Sequence, residues 1–308
     1  MRRLLPIGAY VLLVALTFAL TGGNGTGTKV PAGPRSTKTS TAPQATADTG
    51  PTASSAGAQV TAASSRCRVT GPATTRTLVD ELAALCVRSA RTVDRAWGDK
   101  EGDKEGDKEG DEWGSIRTRV VVAGDIGELA DLLGRDNTEG LADTAAVTVG
   151  PADAPADAVF INGPAFDGLT ELGRQVVLTH ELVHVAARAA GDSGAPMWLE
   201  EGYADYVAYR DTGLSAREIA GDALGAPLPP SLPAEEDFDA AGAGAAVAYG
   251  RAWVAVSVLA DRLGSDTALR RLYEKAAHGG TDEALRVAGF ATRAALVRAV
   301  RQRMALGR

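Results

Sequence analysis

Histidine is nearly missing from this chain: 308 residues carry only three, His180, His184 and His278. Cysteine is rarer, with Cys67 and Cys86 alone, and neither has the close spacing of thiolate metal ligands. Aromatic residues make up 5% of the sequence against a hydrophobic share of 45%, much of it alanine. That is enough apolar material for a core, but a core of modest side chains in a mostly helical protein. A basic excess is absent too, since 32 Lys and Arg stand against 39 Asp and Glu, a net charge of -7. With no basic stripe to neutralise phosphates, nucleic acid is excluded as a partner.

The first residues differ from the rest. Arg2 and Arg3 precede an apolar run from Leu4 to Leu20, interrupted by Pro6, Gly8, Tyr10 and Thr17. A basic start followed by a short apolar core reads as an export signal over 1–22, either cut or kept as a membrane anchor. Positive charge lies only before the run, so the remainder is expected outside the cell, surface-held or secreted. No cysteine follows closely, which excludes a lipid-anchored form. From Thr21 to Ser65 the chain is Thr, Ala, Gly, Ser and Pro with almost no large apolar residue. Such a stretch cannot bury enough surface to offset its ordering entropy, so 23–65 reads as a disordered tether. A folded domain is expected over 66–308. In an oxidising compartment Cys67 and Cys86, 19 positions apart, are expected to pair; the alternative is two buried thiols.

Within the domain, Leu78, Val79, Leu82, Leu85 and Val93 line one face of a helix beginning near Thr77. Three copies of Gly-Asp-Lys-Glu start at Gly98 and read as a solvated loop over 98–112, with lysines among the acids arguing against a cation repeat. Strands are predicted at Arg117–Ala123, Ala145–Val149 and Ala158–Ile161, with a short helix at Ile126–Leu133. From Leu169 onward the pattern is helical, with breaks near Gly191, Gly213 and Gly225. A small sheet followed by helices is an α+β arrangement.

Two of the three histidines fall in Thr179-His180-Glu181-Leu182-Val183-His184-Val185. Positions four apart share a helix face, so both imidazoles can reach one ion, and neutral imidazole is a common zinc ligand. Glu181, one position past the first ligand, can reach an attacking water and act as its base. Two polar residues on a solvated helix are the alternative, but Val177, Leu178, Leu182, Val183 and Val185 make the helix apolar. Unpaired histidines and a carboxylate are costly in such a helix, and a shared metal removes that cost.

A third ligand is offered by Trp198-Leu199-Glu200-Glu201-Gly202-Tyr203-Ala204-Asp205-Tyr206, read as the next helix. Glu201 and Asp205 share a face, so one carboxylate can bind the metal while the other orients an imidazole. Glu200 points about 100° away, toward a neighbouring group or solvent. Three acids solvating a surface helix remain the plain alternative.

These two segments together resemble the gluzincin metallopeptidases, specifically the peptidase MA-like group, and Trp-Leu-x-Glu-Gly is similar to the aminopeptidase-N family. The likeness runs from Asp157 to about Arg301. It implies a zincin-like domain in which Glu201 is the third zinc ligand and Asp205 supports a ligand histidine. The interval between His184 and Glu201 is two residues shorter than in aminopeptidase N, so the intervening turn differs. Tyr249-Gly250-Arg251-Ala252 resembles the aminopeptidase segment whose Tyr stabilises the oxyanion, a role implied for Tyr249, with a plain core tyrosine as the alternative. In the same families a sheet edge beside the metal pairs with extended substrate, a part the likeness gives to Ala158–Asn162, with an ordinary buried strand as the alternative. The Gly-x-Met-x-Asn signature that grips a free amino terminus is missing, so aminopeptidase specificity is not implied. His278, before Gly279-Gly280, reads as an ordinary helix-end residue.

The expectation is an exported zinc peptidase acting on peptide or protein, attached to the membrane through 1–22 if that segment stays uncut. The rivals are a metal-stabilised, non-catalytic surface binding module and a hydrolase of non-peptide amides or esters.

Overall fold

The computed structural model describes residues 58–97, 112–150, 156, 158–192, 194–239 and 242–307. The segment 1–22, most of the tether and the Gly-Asp-Lys-Glu repeat lie outside the described residues. The chain is α+β, a small mixed sheet followed by helices.

Five strands form the sheet: β1 (Gln59–Ala63), β2 (Cys67–Pro72), β3 (Thr118–Ala123), β4 (Ala146–Val149) and β5 (Ala158–Asn162), in the order β1-β2-β3-β5-β4. The central pairings β2–β3 and β3–β5 are parallel, and the outer pairings β1–β2 and β4–β5 are antiparallel. One point corrects the sequence reading, and another decides between its alternatives. The tether was expected to reach Ser65, yet Gln59–Ala63 is a strand, because its backbone pairs with β2 and Val60 alone supplies its buried anchor. The resemblance gave Ala158–Asn162 a substrate-pairing edge, with an ordinary buried strand as the alternative. It is buried between β3 and β4, which agrees with the alternative, and the edge on this side of the sheet is β4.

Twelve helices are described: α1 (Arg76–Trp97), α2 (Glu112–Ser115), α3 (Ile126–Leu132), α4 (Gly163–Asp167), α5 (Glu171–Ala189), α6 (Met197–Tyr209), α7 (Ala216–Gly225), α8 (Glu235–Phe238), α9 (Ala243–Leu263), α10 (Asp266–Lys275), α11 (Thr281–Val287) and α12 (Arg293–Leu306). The alternation of β3 and β5 sets the layers. Val120, Val122, Val159 and Ile161 face a main core shared with α1 and α5. Ala123, Ala158 and Phe160 face a smaller one under α3 with Leu129 and Leu141. The Cys67–Cys86 disulfide joins β2 to α1, with 6.2 Å between the Cα atoms.

Helix α5 starts at Thr170, whose hydroxyl oxygen accepts from the Gly173 amide at 3.1 Å. It is buried continuously from Val176 to Ala189, so each polar residue inside it needs a partner. Thr179 donates to the Gln175 carbonyl at 2.7 Å, and Arg188 donates to the Gly150 carbonyl at 2.8 Å. His180, Glu181 and His184 find partners outside the helix. Among the described residues α9 alone is long and apolar enough to cross a bilayer, but it is mostly buried against α6, α7 and α12. Its contact with α6 is close. A Cβ on Gly202 would lie 2.5 Å from the Ala252 carbonyl oxygen and 2.8 Å from Val256, so only glycine fits there.

Candidate metal centre

The structure brings His180, His184 and Glu201 together. His180 and His184 stand one turn apart on α5, and Glu201 reaches them from the first half of α6. All three are buried, at 1%, 6% and 4% exposure. The two Nε2 atoms lie 3.1 Å apart, and Glu201 oxygens lie 3.2 Å from His180 Nε2 and 3.7 Å from His184 Nε2. Bonds of 2.0–2.1 Å at tetrahedral angles put neighbouring ligand atoms about 3.3 Å apart, so these separations suit one ion. The donor atoms fall within 4.8 Å of one another.

The hydrogen bonds orient the donors. His180 Nδ1 lies 2.8 Å from Asp205 Oδ1, so Nδ1–H donates to the carboxylate and Nε2 is the nitrogen left facing the other donors. Glu200, expected to face a neighbour or solvent, lies with Oε1 3.7 Å from His184 Nδ1 and its side chain largely buried. Among the described residues Glu201 Oε2 and Glu181 Oε1 are buried carboxylate oxygens with no hydrogen-bond partner. The 3.2 Å approach of Glu201 Oε2 to His180 is one of distance, without hydrogen-bond alignment. Orphaned anionic oxygens in a buried site are costly, and a cation would compensate them.

Charge follows the same logic. Burial opposes a charged His180, but the hydrogen bond with Asp205 and the short contact with Glu201 outweigh it and carry its pKa from 6.5 to about 9. At His184 burial is likewise outweighed, by the Glu201 charge and then Glu200, and the pKa is about 10. Burial would raise Glu201, but the charge of His184 and the close approach of both imidazoles pull it down to about 2. Asp205 is raised, burial exceeding the help of its hydrogen bond with His180. The buried acids therefore demand positive charge, which protons supply when no ion is bound and a divalent cation supplies when one is.

Glu181, next to His180 in the chain, is set apart from that group of donor atoms. It is fully buried, and burial raises its pKa. Its Oε2 accepts from Thr148 Oγ1 at 2.6 Å. Tyr249 lies on α9, its ring edge-on to Phe238 with centroids 5.1 Å apart. Burial first, then the charges of Glu201, Asp205 and Glu181, hold its phenol well above its ordinary pKa, so it stays a neutral donor near the site. His278 is not part of the centre: its Nε2 lies 3.1 Å from Asp192 Oδ1 on the turn after α5.

Sequence reasoning missed Thr148 and the contact of Glu200. Thr148 is 33 positions from Glu181, and the one available signal was a lone polar residue inside the apolar strand Ala-Val-Thr-Val. Comparison with protein-family models, with curated proteins and with solved structures finds no match for this chain.

Proposed function

We propose that this chain is a zinc-dependent peptidase of gluzincin type with a zincin-like domain. The observation that carries the reading is the convergence of two Nε2 atoms and one carboxylate at ligand spacing, beside a glutamate with a stranded oxygen. Two imidazoles and a carboxylate are the donor set of catalytic zinc, which leaves a coordination position open. His180, His184 and Glu201 would hold the ion, whose Lewis acidity acidifies a water and polarises a carbonyl.

The rest is the work of this chain's own side chains. Asp205 keeps His180 in one tautomer, and Glu200 stands at the second nitrogen of His184. Glu181 takes a proton from the attacking water as its oxygen bonds to the carbonyl carbon. It then hands that proton to the departing nitrogen as the C–N bond breaks, giving a carboxylate and an amine. Tyr249 donates its phenolic hydrogen toward the developing oxyanion. Export through 1–22 fits the disulfide, because such bonds persist in oxidising compartments. A membrane association would run through that segment alone.

The test uses the purified chain, its zinc content and a quenched-fluorescent peptide library. Wild type is expected to carry zinc and cleave, while Glu181→Gln keeps the zinc and loses turnover by at least about 100-fold. A Glu181→Gln chain as active as wild type overturns the mechanism. A zinc-loaded wild type with no effect on peptides, amides or esters favours the metal-stabilised binding module instead.

A further inference from the structure

Glu181 carries two oxygens in different circumstances. Oε2 lies 2.6 Å from Thr148 Oγ1, and Oε1 has no hydrogen-bond partner among the described residues. The Thr148 hydroxyl also lies 3.2 Å from the Glu181 main-chain carbonyl, but it has one proton to give. The shorter contact, to the carboxylate oxygen, is the one that hydroxyl donates to. Thr148 is itself buried, at 4% exposure, and belongs to the edge strand β4, paired through Val159 to β5. A β-branched side chain in a strand has few rotamers, so the hydroxyl is fixed by the sheet rather than by α5.

We propose that Thr148 is a positioning residue for the base: it ties down Oε2 so that Oε1 is the oxygen that exchanges the proton. This rests on the hydrolase reading above and adds to it a link between the sheet and the reacting end of Glu181. A buried carboxylate without this anchor can turn about its last torsion, which is broad and two-fold, and offer either oxygen in either direction. Thr148 touches no candidate metal ligand, so its loss should alter proton transfer without altering metal retention.

The experiment compares Thr148→Val, which keeps the shape and removes the hydroxyl, with Thr148→Ser, which restores it. Both are made in the full chain and loaded with zinc or with cobalt(II). The expected result for Thr148→Val is wild-type zinc content, unchanged KM on the peptide library and kcat reduced about 10–100-fold. Its cobalt form should show an altered visible absorption band, since the carboxylate next to the His180 ligand has lost its anchor. Thr148→Ser should recover the wild-type band and kcat to within about threefold. If Thr148→Val does not fold, Thr148→Ala carries the same comparison. A Thr148→Val protein with wild-type kcat and an unchanged cobalt band overturns the assignment while leaving the hydrolase reading intact. A wild type that takes up neither metal overturns both.

Discussion

At the scale of single residues, the centre separates side chains placed to hold an ion from side chains that aim them. Asp205 touches His180 Nδ1 at 2.8 Å, and its removal should cost metal affinity without removing a ligand. Asp205→Asn is expected to weaken zinc binding about 10–100-fold in competition with a chelator. Equal affinity in the variant and wild type would mean that His180 is oriented by packing alone. Asp192 gives a prediction in pH. Burial, and next the charge of Glu274, push its carboxyl from 3.8 to about 6, against the helping contacts of His278 and Arg270. Here the folded value exceeds the unfolded one, so the stabilising effect of the proton is full below about 3.8 and is lost as pH rises through about 6. Asp192→Asn should therefore be more stable than wild type at pH 8, by on the order of 1 kcal/mol after allowing for solvent screening. The gap should close toward pH 4 in thermal unfolding; a variant less stable than wild type at pH 8 would show that the pair with His278 dominates.

At the scale of elements, much of the centre was legible because its signals are local. The His180-Glu181-His184 spacing and the Glu201–Asp205 pair each lie within one helix, where sequence distance fixes direction. The predicted strands and the start of α1 came within a residue or so for the same reason, from alternation and helical spacing. What escaped was non-local. No pattern within Ala145–Val149 or Ala158–Ile161 reveals which strand is outermost, so edge and buried strand both stayed open for β5 until the sheet order gave the edge to β4. Thr148 was invisible as a partner of Glu181 because the two meet only once β4 lies on α5. Strand β1, polar apart from Val60 and its alanines, has its order from the backbone ladder, which leaves no mark on side-chain composition. The Glu-Gly step in α6 has a packing reason that the motif alone did not give. Gly202→Ala forces α6 and α9 apart, and should destabilise by about 1–3 kcal/mol in denaturant unfolding. An alanine accommodated with no loss would mean that the two helices slide freely at this contact.

At the scale of the whole molecule, two devices hold the metal helices against the sheet: the main core and the Cys67–Cys86 bond between β2 and α1. Cross-linking residues 19 apart stabilises by about 3 kcal/mol in the chain-entropy account. The Cys67→Ser/Cys86→Ser chain should lose that much in reversible unfolding, and a midpoint equal to wild type would show the bond to be dispensable. Because α1 also packs on α5, loosening it should reach the centre, as a lower midpoint for zinc release.

The account depends throughout on one ion shared by two helices, and native mass spectrometry of the folded chain tests this most directly. Wild type exposed to zinc is expected to show one zinc per chain, and His184→Ala and Glu201→Ala, still folded, are expected to show none. A folded wild type without metal, or a Glu201→Ala chain retaining zinc as tightly as wild type, would contradict it.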